Sequence, residues 1–244
     1  MQKLSLAGIL LIMSLSAGSL PNGFVYIKDV VPNIVLEIRY HSEYNFLGTQ
    51  VNGYQAPVGI ITKQAAEALA QVQAELNQFG MSLKIYDAYR PQQAVDHFVR
   101  WAADFGDTLT KLEFYPTLDK PILLEEVYIA TRSSHTRGSA VDLTIVPLPV
   151  PGQKEFDITN QCDCSRGIRN RSLDNSIDMG SGFDCFHELS HTAQPRLTEE
   201  QRINRLLLKS IMEKHGFRNY SKEWWHFNLI EEPFPETYFN FPIK

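Results

Sequence analysis

A histidine and an aspartate seven residues apart lie in the stretch that most constrains what this chain can fold into. Between His135 and Asp142, Gly138 permits a sharp turn because glycine has no Cβ atom. The run 140–146, Ala-Val-Asp-Leu-Thr-Ile-Val, then alternates with the period of two that is typical of a strand. The apolar side chains of Val141, Leu143 and Ile145 face one side of this strand, whereas Asp142 faces the other. The apolar face can therefore enter a core while Asp142 points into a cleft beside His135.

This pair of residues is a candidate metal site, because zinc binds both imidazole nitrogen and carboxylate oxygen. A catalytic zinc site usually has three protein ligands and one open position. The best third ligand is His226, in the stretch Glu223-Trp224-Trp225-His226-Phe227. Glu223 is then the candidate general base on the attacking water. In a regular strand Glu223 and His226 would face opposite sides, so we expect Glu223 to lie at an irregular strand entrance.

The two motifs, S-x-H-x-x-G-x-A-x-D and E-x-W-H, resemble the signature of the zinc D-alanyl-D-alanine dipeptidases and D,D-carboxypeptidases. Further stretches resemble the dipeptidase branch of that family. They are Asn45-Phe46-Leu47-Gly48 with Gly53-Tyr54, Asp87-Ala88-Tyr89-Arg90-Pro91, Met179-Gly180-Ser181 with Phe183-Asp184, and Glu232-Pro233-Phe234-Pro235. The resemblance extends over nearly all of the chain after about residue 24.

The resemblance implies a fold and a cofactor. The fold would be α+β, with helices packed on one side of a mainly antiparallel sheet and zinc in a cleft. One Zn²⁺ per chain would be held by His135, Asp142 and His226, with Glu223 as the base. His187 and His191 lie outside the matching ligand motifs and are left out of the ligand set.

The remaining candidate site residues concern the substrate. Arg90 follows a predicted strand and precedes a predicted helix, and the resemblance implies that it stabilises the developing oxyanion. Asp87 either holds Arg90 through a charge-assisted hydrogen bond or forms an ion pair elsewhere. By resemblance, Tyr54, Ser133 and Asp184 would hold the free amino end of the substrate.

The implied reaction is hydrolysis of D-alanyl-D-alanine to two D-alanines. Two alternatives stay open: a D,D-carboxypeptidase that acts on peptidoglycan stem peptides, and a non-catalytic module that binds cell-wall fragments. Glu223 argues against the second alternative, because metal binding alone does not require it. Residues 147–178 depart from the shortest family members, and we expect a surface excursion near the mouth of the site. The net charge of −5 gives no reason to expect a nucleic-acid partner.

The N-terminus has the pattern of an export signal. Lys3 precedes the largely apolar run 4–15, and Ser16-Ala17-Gly18-Ser19 supplies small residues at a cleavage position. We therefore predict a signal peptide over residues 1–19, one domain over residues 20–244, and a periplasmic location. A buried N-terminal helix and a retained membrane anchor are the alternatives.

The chain has three cysteines, and whether they form a disulfide depends on whether the protein is exported. In an oxidising compartment we expect Cys185 to pair with Cys162 or with Cys164. The alternative is a Cys-x-Cys metal site at Cys162 and Cys164, which lacks a second pair of ligands nearby.

Overall fold

The computed structural model describes residues 19–125, 128–172 and 174–244. The predicted signal peptide, residues 1–19, lies outside the described residues except for its last position. In the described parts of the chain, no helix is long and apolar enough to cross a membrane.

Strands and helices alternate irregularly along the described chain. The strands are β1 (Phe24–Tyr26), β2 (Val35–Leu36), β3 (Ile60–Thr62), β4 (Met81–Asp87), β5 (Ala140–Pro147), β6 (Phe217–Asn219) and β7 (His226–Leu229). The helices are α1 (Ile27–Val30), α2 (Lys63–Asn77), α3 (Gln92–Ala103), α4 (Lys111–Phe114), α5 (Lys120–Glu125) and α6 (Glu199–Lys214).

The main sheet has the strand order β2-β4-β5-β7-β6. Its pairs β4–β5, β5–β7 and β7–β6 are antiparallel, whereas β2 pairs with β4 in parallel. A small antiparallel sheet joins β1 to β3. The predicted α+β class with a mainly antiparallel sheet is therefore confirmed.

Helix α2 shows how the sequence builds the core. Its apolar residues recur at steps of three and four, which places them on one face of a helix. Leu69, Val72 and Leu76 on that face are fully buried, and α2 packs against β4. Burial of each such side chain stabilises the fold by roughly 1.5–3 kcal/mol.

The excursion at residues 147–178 packs over the sheet and does not lie at the mouth of the site. The buried Lys84 of β4 donates to Asn175 Oδ1 at 3.0 Å, and the Tyr86 hydroxyl donates to Asp174. None of the described residues 147–178 lines the cavity around His135, so the expected position at its mouth is wrong. Lys84 and Tyr86 are buried polar groups that need partners, and the excursion supplies them.

A disulfide bond fastens this excursion to the following loop. Cys164 is bonded to Cys185, with their Cα atoms 5.6 Å apart, and Cys162 is a free, half-buried thiol. The predicted pairing of Cys185 is thus confirmed, with Cys164 as its partner. Because Cys164 is oxidised, the Cys-x-Cys metal site is not formed.

Replacing Cys185 with serine should lower the free energy of unfolding by about 3 kcal/mol, since the bond closes a loop whose ends are 21 residues apart. Urea titration of the parent and the variant measures this difference. Cys162→Ser is the matched control and should leave the unfolding midpoint unchanged. An equal loss in both variants would contradict the assigned pairing.

Candidate active site

Three chain segments bring His135, Asp142 and His226 together. His135 lies in a 3₁₀ turn, Ser134–Arg137, that ends at Gly138. Asp142 lies on β5 directly opposite His226, the first residue of β7. Gly138 has a φ of +85°, and a Cβ atom there would lie 2.2 Å from the Phe24 ring. Only glycine therefore allows the turn that delivers His135 to the two strands.

The facing atoms of these residues fit a zinc ion. His226 Nδ1 lies 3.0 Å from Asp142 Oδ1 and 3.1 Å from His135 Nε2. The third separation, from His135 Nε2 to Asp142 Oδ1, is 3.3 Å. Ligand atoms at bond lengths typical of tetrahedral zinc would lie about 3.3 Å apart. All three residues are buried, and they are the only such cluster among the residues that the structure describes.

Protonation in this cluster suits metal binding. His135 Nδ1 lies 2.7 Å from the Ala88 carbonyl oxygen, to which it can donate, so Nε2 is left with its lone pair for a metal. Burial alone would raise the pKa of Asp142, but His135 and His226 outweigh it and hold that pKa well below its usual range. Asp142 is therefore an anion, as a metal ligand must be.

Glu223 lies in the turn that precedes β7, as predicted, and lines the same cavity. Its Oε2 lies 3.8 Å from His226 Nδ1. Burial raises the pKa of Glu223 to about 7. A carboxyl group with that pKa can both accept and release a proton near neutral pH.

Arg90 lies between β4 and α3, at the predicted strand-to-helix turn. Its Nε donates to Asp87 Oδ2 at 2.9 Å, and its Nη2 lies 3.4 Å from Asp142 Oδ2. Of the two readings of Asp87, the hydrogen bond to Arg90 is therefore confirmed. The guanidinium also lies over the Tyr40 ring, 5.0 Å from its centroid. These contacts fix the positive charge of Arg90 beside the three candidate metal ligands.

Tyr54 lies behind this arginine and does not line the cavity. It is buried, and its hydroxyl donates to Asp87 Oδ1 at 2.6 Å. The structure therefore does not bring Tyr54 to the surface where a substrate would bind. Through Asp87 it instead fixes the position of Arg90.

Ser133 and Asp184 do line the cavity. The Ser133 hydroxyl accepts the His135 backbone N–H at 3.3 Å. Asp184 has a left-handed φ of +57°, which is uncommon for a residue with a side chain and often marks a functional position. Its Oδ2 accepts the Tyr40 hydroxyl at 2.8 Å. Burial and the nearby Asp142 raise the pKa of Asp184 well above its usual value.

The cavity has a volume of about 290 Å³, at the lower end of the range for ligand sites, which suits a small substrate. Six polar residues on its wall were not predicted as site residues: Tyr40, Tyr128, Arg132, Ser134, Tyr220 and Asn228. Asn228 could have been found, because it follows His226 by two positions on a strand and so shares its face. Ser134 lies within the His135 motif, whereas nothing in the sequence marks the tyrosines or Arg132.

Comparison with known proteins agrees with this geometry. A model of the M15 peptidase family, described as D-ala-D-ala dipeptidase, matches residues 21–149 and 158–244. A D-alanyl-D-alanine dipeptidase of Enterococcus faecalis is 36% identical over 223 residues, or 91% of this chain and 99% of that protein. One from Streptomyces coelicolor is 34% identical over 90% of this chain and 98% of its own length. One from Escherichia coli is 32% identical over 82% of this chain and 81% of its own length.

Besides residues 1–20, the family model leaves residues 150–157 unmatched, and these lie in the excursion and do not line the cavity. The family match therefore includes the three candidate metal ligands, together with Glu223, Arg90 and Asp184. On these grounds the chain is a metallopeptidase and belongs to the D-Ala-D-Ala dipeptidase family.

Proposed function

We propose that this protein hydrolyses D-alanyl-D-alanine to two molecules of D-alanine. The observation that carries the proposal is that one small cavity is lined by the three candidate metal ligands, the candidate base Glu223 and the buried carboxyl group of Asp184. The names of the relatives support the choice of dipeptide.

His135, Asp142 and His226 would hold one zinc ion, which supplies a Lewis acid that polarises the scissile carbonyl and lowers the pKa of water. Glu223 takes a proton from the attacking water on its carboxylate. It then passes this proton to the nitrogen of the leaving D-alanine. The raised pKa of Glu223 favours both transfers near neutral pH.

Arg90 stabilises the negative charge that develops on the carbonyl oxygen. Asp87 and Tyr54 hold its guanidinium before substrate arrives, so little reorganisation is needed during the reaction. A cation fixed in this way contributes more in a site from which water is excluded than it would in water.

Asp184 provides the counter-charge for the substrate ammonium, with Ser133 on the same cavity wall. In the free protein burial favours the protonated carboxyl, whereas a bound ammonium favours the carboxylate. Binding of the dipeptide is therefore coupled to release of a proton from Asp184, and affinity should rise with pH through its pKa. A free amino group is thus required, which restricts the enzyme to dipeptides.

Asp184→Asn should raise KM for D-alanyl-D-alanine by about 10-fold or more, because it removes a charge-assisted interaction but keeps the side-chain shape. The parent should cleave the N-acetylated dipeptide poorly, and the variant should discriminate much less between the two substrates. Asp29→Asn, which changes an exposed carboxylate elsewhere, is the matched control. Efficient cleavage of the acetylated dipeptide by the parent would favour the carboxypeptidase alternative.

We also propose that the protein is exported to the periplasm. The signal-like sequence of residues 1–19 and the Cys164–Cys185 disulfide support this location. Mature protein from a native-like host should begin near residue 20, which N-terminal sequencing measures. Recovery of an intact Met1 in a soluble cytoplasmic pool would contradict export.

A further inference from the structure

A side-chain amide lies against the outer nitrogen of one proposed metal ligand. Asn228 follows His226 by two positions on β7 and lines the same cavity. Its Nδ2 lies 2.9 Å from His226 Nε2. Its Oδ1 is shielded from solvent and has no hydrogen-bond partner among the described residues. A buried polar oxygen without a partner is costly and calls for a physical reason.

The orientation of the His226 ring explains this arrangement, because it decides which ring nitrogen faces the other two candidate metal ligands. Nδ1 is the nitrogen directed at Asp142 and His135, at 3.0 and 3.1 Å. A nitrogen that binds a metal carries no proton, so the neutral imidazole must carry its proton on Nε2. The Nε2–H group then needs an acceptor, which an amide NH₂ group cannot provide.

A rotation of the Asn228 amide by 180° removes the donor-to-donor conflict at His226 Nε2 without changing the outline of the side chain. Oδ1 then accepts the Nε2–H of His226 and is no longer unpaired. The Ser134 hydroxyl, 3.2 Å from the same nitrogen, can either donate or accept and so does not select a tautomer. An amide oxygen can only accept, and it does select one.

We propose that Asn228 is a positioning residue, whose Oδ1 accepts the His226 Nε2–H and fixes the tautomer that presents Nδ1 to the metal. The Ala88 carbonyl oxygen has the same role for His135, where it accepts the Nδ1–H and leaves Nε2 for the metal. Each histidine of the cluster thus has its own acceptor, one from the backbone and one from a side chain. This inference concerns metal binding and holds whichever peptide is cleaved.

Zinc affinity, measured by competition with a chelator, tests this role independently of turnover. Asn228→Leu has a similar shape but no acceptor, and it should weaken zinc binding by about 10- to 100-fold. Asn228→Asp keeps an acceptor oxygen and should bind zinc at least as tightly as the parent. Ser134→Ala is the matched control, since it removes the other neighbour of Nε2, and it should change the affinity less than Asn228→Leu.

NMR of the zinc-bound protein with ¹⁵N-labelled histidine measures which ring nitrogen of His226 is protonated, without any substitution. The parent should show a protonated Nε2 on His226, hydrogen-bonded to the Asn228 side chain. Parental zinc affinity in Asn228→Leu would overturn the inference. So would an equal loss in Asn228→Asp and Asn228→Leu, or a larger loss in Ser134→Ala than in Asn228→Leu.

Discussion

Glu223→Gln should retain one zinc per chain and lose at least about 10²-fold in kcat on D-alanyl-D-alanine. The substituted amide has the size of the carboxylate but cannot accept the proton of the attacking water. The metal should stay because His135, Asp142 and His226 form the cluster without Glu223. Metal analysis and initial rates on the same preparation measure both quantities.

Two outcomes would contradict this assignment in different ways. A Glu223→Gln protein without zinc would make Glu223 a ligand, although it lies outside the group formed by His135, Asp142 and His226. A variant with zinc and near-parental turnover would remove Glu223 from the mechanism altogether.

His226→Ala should behave differently, because it removes one of the ligands and leaves Asp142 with a single imidazole partner. We expect loss of the zinc together with the activity, while the circular dichroism of the folded chain persists. His191→Ala is the matched control, since His191 lies outside the cluster, and it should keep its zinc. Full zinc occupancy in His226→Ala would contradict the proposed ligand set.

The sequence predicted the parts of this site that depend on local patterns. The period of two over residues 140–146 predicts β5 and places Asp142 on the face opposite the apolar residues. The motif around His226 predicts an irregular strand entrance, and Glu223 lies in a turn there. No local pattern sets the register between Asp142 and His226, which are 84 residues apart. Family resemblance therefore supplied the link between these two residues.

Two expected positions differ from those in the structure, because the direction of the side chains depends on distant partners. Tyr54 lies in a glycine-rich loop, and nothing in that loop shows whether its hydroxyl points to a cavity or to a buried carboxylate. It points to Asp87, because an ionisable group that is fully buried needs a donor. The excursion at residues 147–178 was misplaced for a similar reason. Its position depends on the polar groups of Lys84 and Tyr86, which precede their partners Asn175 and Asp174 by 91 and 88 residues.

The fold explains why the site is rigid before substrate arrives. Its three proposed metal ligands come from two paired strands and a turn whose glycine has no room for a side chain. Arg90 is held by Asp87, and Asp184 is held by Tyr40. The disulfide joins Cys185, the next residue after Asp184, to the excursion. Groups fixed in this way need little reorganisation during the reaction, which favours catalysis.

Release of D-alanine by zinc-depleted and zinc-restored protein tests the central claim most directly. The restored protein should convert each D-alanyl-D-alanine into two D-alanines and should release little D-alanine from a peptidoglycan pentapeptide. The depleted protein should release almost none from either substrate. Zinc-restored protein that leaves the dipeptide intact while trimming the pentapeptide would contradict the account, and so would full activity without the metal.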